Sequence, residues 1–207
     1  MSGSPLPLEI VDLRTTLFTR RGEMKAVDGL SFSVGAGEPV ALVGESGCGK
    51  SLSALSVMRL LPDPPARIVG GQVKLNGRDI VPLPEETMLD IRGKEIGMIF
   101  QDPISSLNPV ATVEKQIVEV LMPHTDLGRG QARVRAHELL ELVGLSSRAD
   151  SRAKGFSLGM KQRLGLAMAL LGGPKLVILD EPTNGLDPSG IVEIRELIKR
   201  LPERGTT

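Results

Sequence analysis

Apolar and polar residues alternate along "LEIVDLRTTLF" (8–18) and "AVDGLSFSV" (26–34), separated by the turn-prone "TRRGE", and this period of two predicts antiparallel strands. "GEPVALVG" (37–44) is a short apolar run that predicts a strand leading straight into glycines. In "KSLSALSVMRLL" the spacing of Leu52, Leu55, Met58 and Leu61 turns helical, and "PDPP" stops it. "GGQVKLNGRDI" reads as a hairpin with Asn76 and Gly77 as its turn, and "EIGMIF" as another strand. Helical spacing returns from Gln116 to Leu145 and from Phe156 to about Leu171. "PKLVILD" then predicts a buried strand, and a last helix runs from Pro188 to about Leu201. The helix-rich stretch from about Asp102 to Gly155 reads as an insertion into an α/β core.

Composition narrows the partners. The 207 residues carry a formal net charge of +0, and only 2% are aromatic, with no Trp or Tyr, which argues against a nucleic-acid surface of basic and stacking side chains. The single cysteine, Cys48, can form neither an internal disulfide nor a metal cluster, so a reducing compartment is expected. "MSGSPLPLEIVDLR" lacks the basic and apolar regions of a signal peptide. No apolar run approaches the roughly 20 residues of a spanning helix, so a membrane role is expected only through a partner.

Two motifs carry chemistry. "GESGCGKS" places Gly44, Glu45, Ser46, Gly47, Cys48, Gly49, Lys50 and Ser51 after an apolar run and at the opening of a helix. Glycines there let backbone N–H groups turn toward phosphate oxygens, Lys50 can reach the β- and γ-phosphates, and the Ser51 hydroxyl can ligate Mg²⁺. An ordinary glycine-rich turn would not require Lys-Ser at its end. Cys48 reads as a small filler of that loop. "LVILDEP" ends a buried strand in two carboxylates, which are costly to bury without a cation. Mg²⁺ fits as that partner, with Asp180 holding the metal and Glu181 orienting or deprotonating water.

With "GFSLGMKQR" (155–163) between these features, the chain resembles the nucleotide-binding domain of an ATP-binding cassette (ABC) transporter. The resemblance implies a P-loop NTPase core with an antiparallel β subdomain and an inserted α-helical subdomain. Expected boundaries are 1–101 for the β subdomain and P-loop part, 102–155 for the helical part, and 156–207 for the remaining core. It implies ATP and Mg²⁺ as cofactors, with Ser51, Gln101 and Asp180 as metal ligands and Glu181 and Gln101 as catalytic residues. Ser157, Leu158, Gly159 and Met160 match the signature segment, which in the family meets the γ-phosphate held by the opposing subunit. Leu158 stands where the family has Gly, and Met160 where it has Gln. Asp187, in "NGLD", matches the D-loop. Phe18 sits where the family stacks an aromatic on adenine, although a core or surface role explains it as well. The implied partners are a second ATP-binding subunit, identical or not, paired head to tail, and transmembrane permease subunits at the cytoplasmic face of the membrane; no nucleic acid is implied.

Two further expectations follow from the resemblance. The family's switch histidine belongs beyond Thr207, and His124 and His137 lie in the helical insertion, so impaired hydrolysis is expected of these 207 residues. Residues 8–138 resemble oligopeptide and dipeptide importer ATPases, whereas the sequence from about Leu139 resembles bacitracin-type exporter ATPases; a hybrid or one lineage with a drifted signature would explain this. The reading is a motor subunit powering peptide transport. Its alternatives are a non-hydrolysing nucleotide-binding fragment and a soluble ABC ATPase of the translation or DNA-repair kind.

Overall fold

The computed structural model describes residues 5–101, 107–125 and 127–207. The expected start of the helical insertion, Asp102, lies outside them, as does the side chain of His124. The chain divides into two compact units, residues 1–92 with 205–207, and Gly93–Arg204.

The first unit is built on β1 (Leu8–Thr19) and β2 (Gly22–Val34), with helix α1 (Lys50–Met58), β3 (Ala66–Leu75), β4 (Arg78–Asp79) and helix α2 (Glu85–Ile91). Its antiparallel sheet has the order β2-β1-β3-β4, so β1 is central. Along β1 the buried positions change from Leu8 and Ile10 to Leu13 and Thr15. A bulge between Ile10 and Leu13 accounts for the change of parity, since one extra residue turns the following side chains to the other face. Asp12, in the bulge, has φ 48, and a Cβ at Gly71 would stand 2.3 Å from its carbonyl oxygen, so glycine is required opposite. The β3–β4 turn carries Asn76 and Gly77 at φ 50 and 82, the left-handed pair that such a hairpin demands.

One expected strand is absent. Residues 39–43 form no ladder with the sheet; Val40 and Leu42 are exposed, and Val43 is 90% exposed. Apolar composition alone does not make a strand, because its backbone groups must find a neighbouring chain, and among the described residues none pairs with this run. Conversely, α2 was not expected. It buries Met88 and Ile91, while Arg92 beyond its end donates to the Met58 and Arg59 carbonyl oxygens at 2.9 and 3.0 Å.

The second unit contains β5 (Ile96–Ile99), α3 (Val113–His124), α4 (Arg129–Leu142), α5 (Leu158–Ala169), β6 (Leu176–Leu179) and α6 (Pro188–Arg200). β5 and β6 pair in parallel with Ile99 opposite Leu179. Their backbone approaches the α5 end closely: a Cβ on Gly97 would lie 2.4 Å from the Ala169 carbonyl oxygen. Val113, Ile117 and Leu121 of α3, at helical spacing, join Ala136, Leu139 and Leu140 of α4 and Leu164 and Ala167 of α5 in one apolar cluster.

Candidate active site

In the first unit the glycine-rich loop enters α1 through Gly49, at φ 91. A Cβ there would stand 2.2 Å from the Ala26 carbonyl oxygen, so position 49 excludes any side chain on both conformational and steric grounds. Gly47, at φ 82, has open space where its Cβ would be, and a Cβ on Gly44 would meet Cys48 Sγ at 2.7 Å. Lys50 Nζ donates to the carbonyl oxygens of Gly44 and Glu45, both at 2.7 Å, so the ammonium is held across the loop. The first helical bond is donated by Ser53 N to Gly49 O, and the N-terminal end of α1 therefore presents its partial positive charge at this loop. A bare backbone, a helix start and a lysine fit a phosphate chain. Glu45, Ser46 and Cys48 are exposed, and Lys50 and Ser51 are partly buried. Phe18 lies on β1, 44% exposed, with its N–H donated to Pro65 O at 2.7 Å.

In the second unit the parallel register brings the ends of β5 and β6 side by side, and Asp180 N continues the ladder to Ile99 O at 3.0 Å. Gln101 and Glu181 each follow two residues after their strand. Gln101 Nε2 donates to Glu181 Oε2 at 3.1 Å, and Asn184 Nδ2 donates to the same oxygen at 3.1 Å. Glu181 also has φ 48, in the left-handed region that is strained for glutamate. Its exposed carboxylate is thus oriented by two neutral amides, an arrangement able to hold a water or take its proton. Because Gln101 donates through nitrogen, its amide oxygen is left as the acceptor suited to a hard cation.

The segment that matches the family's signature opens α5. Ser157 is its N-cap, its Oγ accepting from Met160 N at 3.3 Å. Leu158 is 37% exposed and packs toward Gly185, where a Cβ would lie 2.9 Å from Leu158 Cδ2. A Cβ on Gly159 would meet only Leu186 Cδ2, at 3.8 Å, so neither crowding nor positive φ calls for glycine there. Met160 is partly buried against the apolar cluster. Asp187 caps α6, its Oδ1 accepting from Gly190 N at 3.1 Å and its Oδ2 from Ser189 Oγ at 2.9 Å.

Sequence reasoning missed Asn184 and the strained backbone of Glu181. The first had a signal, an amide side chain one turn beyond the paired acids; the second had none.

Residues 27–184 match the family model described as ABC transporter. The chain is 47% identical over 200 residues to the oligopeptide transport ATP-binding protein OppD of Bacillus subtilis (strain 168), covering 95% of this chain and 56% of that protein. It is 40% identical over 200 residues to the dipeptide transport ATP-binding protein DppD of the same organism, covering 95% of this chain and 60% of that protein. The chain therefore spans less than two thirds of these curated relatives' length. Among solved structures, a dimeric post-hydrolysis ATP-binding cassette bound to ADP and Pi superposes with TM-score 0.83 at 25% identity, covering 95% of this chain and 83% of that one. CbiO1 from Clostridium perfringens, part of an ABC transporter complex, gives TM-score 0.79 at 27% identity, covering 96% and 74%.

Proposed function

The chain belongs to the ABC transporter family, with the P-loop ATPase fold of its cassettes, and from that premise we propose that it is an ATP-hydrolysing motor subunit that powers peptide transport. The observation that carries the reading is the Gln101–Glu181 hydrogen bond at 3.1 Å, which aligns a water-orienting carboxylate beside an amide in a chain that also holds a glycine-framed lysine loop.

The loop 44–51 binds the phosphates of ATP, Lys50 exchanging its bonds to loop carbonyls for bonds to phosphate oxygens. Glu181 orients the attacking water and takes its proton, while Gln101 and Asn184 hold the carboxylate in place. Mg²⁺, when bound, would neutralise charge on the phosphates; Ser51 of the first unit, and Gln101 and Asp180 of the second, each offer the kind of oxygen donor so hard a cation takes. Ser157 and Gly159 face the nucleotide of a second, head-to-tail ATP-binding subunit, with Asp187 beside them and Leu158 and Met160 flanking. Phe18 meets the adenine.

The names of the relatives, oligopeptide and dipeptide transport ATP-binding proteins, support peptide as cargo; the same reading takes permease subunits as partners and the cytoplasmic face of the membrane as location. No helix among the described residues is long and apolar enough to cross a membrane. A finer reading concerns lineage: the wording of 156–160 and 184–187 supports an exporter-like segment joined to importer-like residues near 135–145. An alignment of residues 139–207 alone that favours importers over exporters refutes that junction.

The function is tested by Mg-ATP turnover of the chain beside Lys50→Ala, then by peptide uptake after assembly with a peptide permease. Turnover that depends on Lys50, whatever its absolute rate, and peptide-dependent uptake are expected; turnover indifferent to Lys50 overturns the reading.

A further inference from the structure

Gln162 lies on α5, five positions after Ser157, and is 2% exposed. Its Oε1 is the only buried side-chain oxygen or nitrogen among the described residues without a hydrogen-bond partner. Gln162 helps line a partly open cavity with about 10 Å³ of room for a water centre, lined otherwise by Ile99, Leu166, Leu179, Pro182, Ile194 and Ile198. That room is at the lower limit of what one water needs.

An amide among aliphatic side chains is unfavourable when one of its atoms is unpaired, and an apolar residue of similar volume would pack there at lower cost. Stability therefore does not account for glutamine at this position. The cavity's other walls point to what does. Ile99 closes β5 two residues before Gln101, Leu179 closes β6 two residues before Glu181, and Pro182 directly follows it. The cavity thus lies behind both partners of the Gln101–Glu181 bond. Glu181 is the only described non-glycine residue of this unit with positive φ, so its backbone is held there by the packing around it.

We propose that Gln162 is a positioning residue: through one water held in this cavity, its buried amide fixes the backbone behind Gln101 and Glu181 and so ties their alignment to the position of α5. The water would donate to Gln162 Oε1 and to the second lone pair of a strand-end carbonyl such as that of Ile99, whose oxygen already accepts from Asp180 N. The helix that carries Ser157 and Gly159 at its start thereby acts on the carboxylate from behind. This inference rests on the reading of Glu181 as the group that handles the attacking water.

The test measures Mg-ATP turnover and thermal unfolding of the full chain and of Gln162→Met, which keeps length and volume but removes the amide. The expected result is a kcat lower by about tenfold, a KM for ATP within about twofold of wild type, and an unfolding midpoint equal or higher. In a Gln101→Ala background, Gln162→Met is expected to lower kcat by less than about twofold more, because both act through one alignment. A folded Gln162→Met with unchanged kcat, or losses that multiply in the double variant, overturns the proposal. Should Met at 162 prevent folding, Gln162→Asn, which retracts the amide by one methylene, decides in the same way. A wild-type chain without Lys50-dependent turnover overturns the functional reading and this inference with it; turnover in wild type that Gln162→Met leaves intact overturns the inference alone.

Discussion

Gln101 Nε2 sits 3.1 Å from Glu181 Oε2 although the two residues are 80 apart in sequence. The parallel register of Ile99 on Leu179 sets both side chains at the same height beyond their strands. Glu181→Gln keeps the shape but removes the proton acceptor, and kcat is expected to fall by about 10²–10⁴ with ATP binding retained. Gln101→Ala leaves Asn184 still donating to Glu181 and is expected to cost less, about tenfold. Single-turnover kinetics beside nucleotide titration check both; equal losses in the two variants would contradict the ranking.

Lys50 ties down the Gly44 and Glu45 carbonyls, and the proposed function has it exchange these for phosphate oxygens of ATP. A ligand that binds only the folded state raises the unfolding midpoint. Mg-ATP is therefore expected to raise the midpoint of wild type and to leave that of Lys50→Ala unchanged. Thermal unfolding with and without nucleotide is the measurement.

Gly49→Ala would bring a Cβ to 2.2 Å from the Ala26 carbonyl and hold alanine at φ 91. Backbone must shift, because the neighbour is main chain. A loss of about 2 kcal/mol or more is expected in urea unfolding, together with loss of nucleotide binding.

Much of the fold was legible because its signals are local. Alternation marked β1 and β2, Asn76 and Gly77 marked a turn, and Ser157 marked a helix start that the Ser157–Met160 bond then realises. What was not legible depends on tertiary partners. The seven residues of α2 follow Pro84 and begin with two acids, and they become a helix by burying Met88 and Ile91. Residues 39–43 read as a strand from their apolarity, but pairing decides strands, and composition says nothing of the neighbour. No signal in the sequence marks Gln162, and only packing shows it buried.

Glu114, at the start of α3, accepts from Arg133 Nε at 2.8 Å and shares a 2.7 Å hydrogen bond with His137 Nε2. The hydrogen bond with His137, followed by that from Arg133, holds its carboxyl below the ordinary value of 4.5 despite opposing burial. A depressed folded value means that its contribution to stability is complete above about pH 4.5 and is lost as pH falls through the depressed value. Glu114→Gln should accordingly lower stability at neutral pH and flatten the acid limb of the stability curve. Urea midpoints from about pH 7 down to about pH 3 measure it, and parallel curves would contradict the assignment.

Gly159 separates structure from function most directly. Its φ is not in the left-handed region, and a Cβ there would touch only Leu186 Cδ2 at ordinary van der Waals distance, 3.8 Å. In the first turn of α5, alanine has a helix propensity better than glycine by up to about 1 kcal/mol, so Gly159→Ala is expected to unfold at the same urea concentration or higher. If glycine is there so that the phosphate of a second subunit can approach the backbone, the same methyl stands in the way of that approach. Gly159→Ala should then bind Mg-ATP as tightly as wild type while losing ATP-driven dimerisation and turnover, read by light scattering and phosphate release. Full turnover in this variant would mean that the signature position needs no close approach, and would leave Ser157 alone to carry the contact with the second subunit.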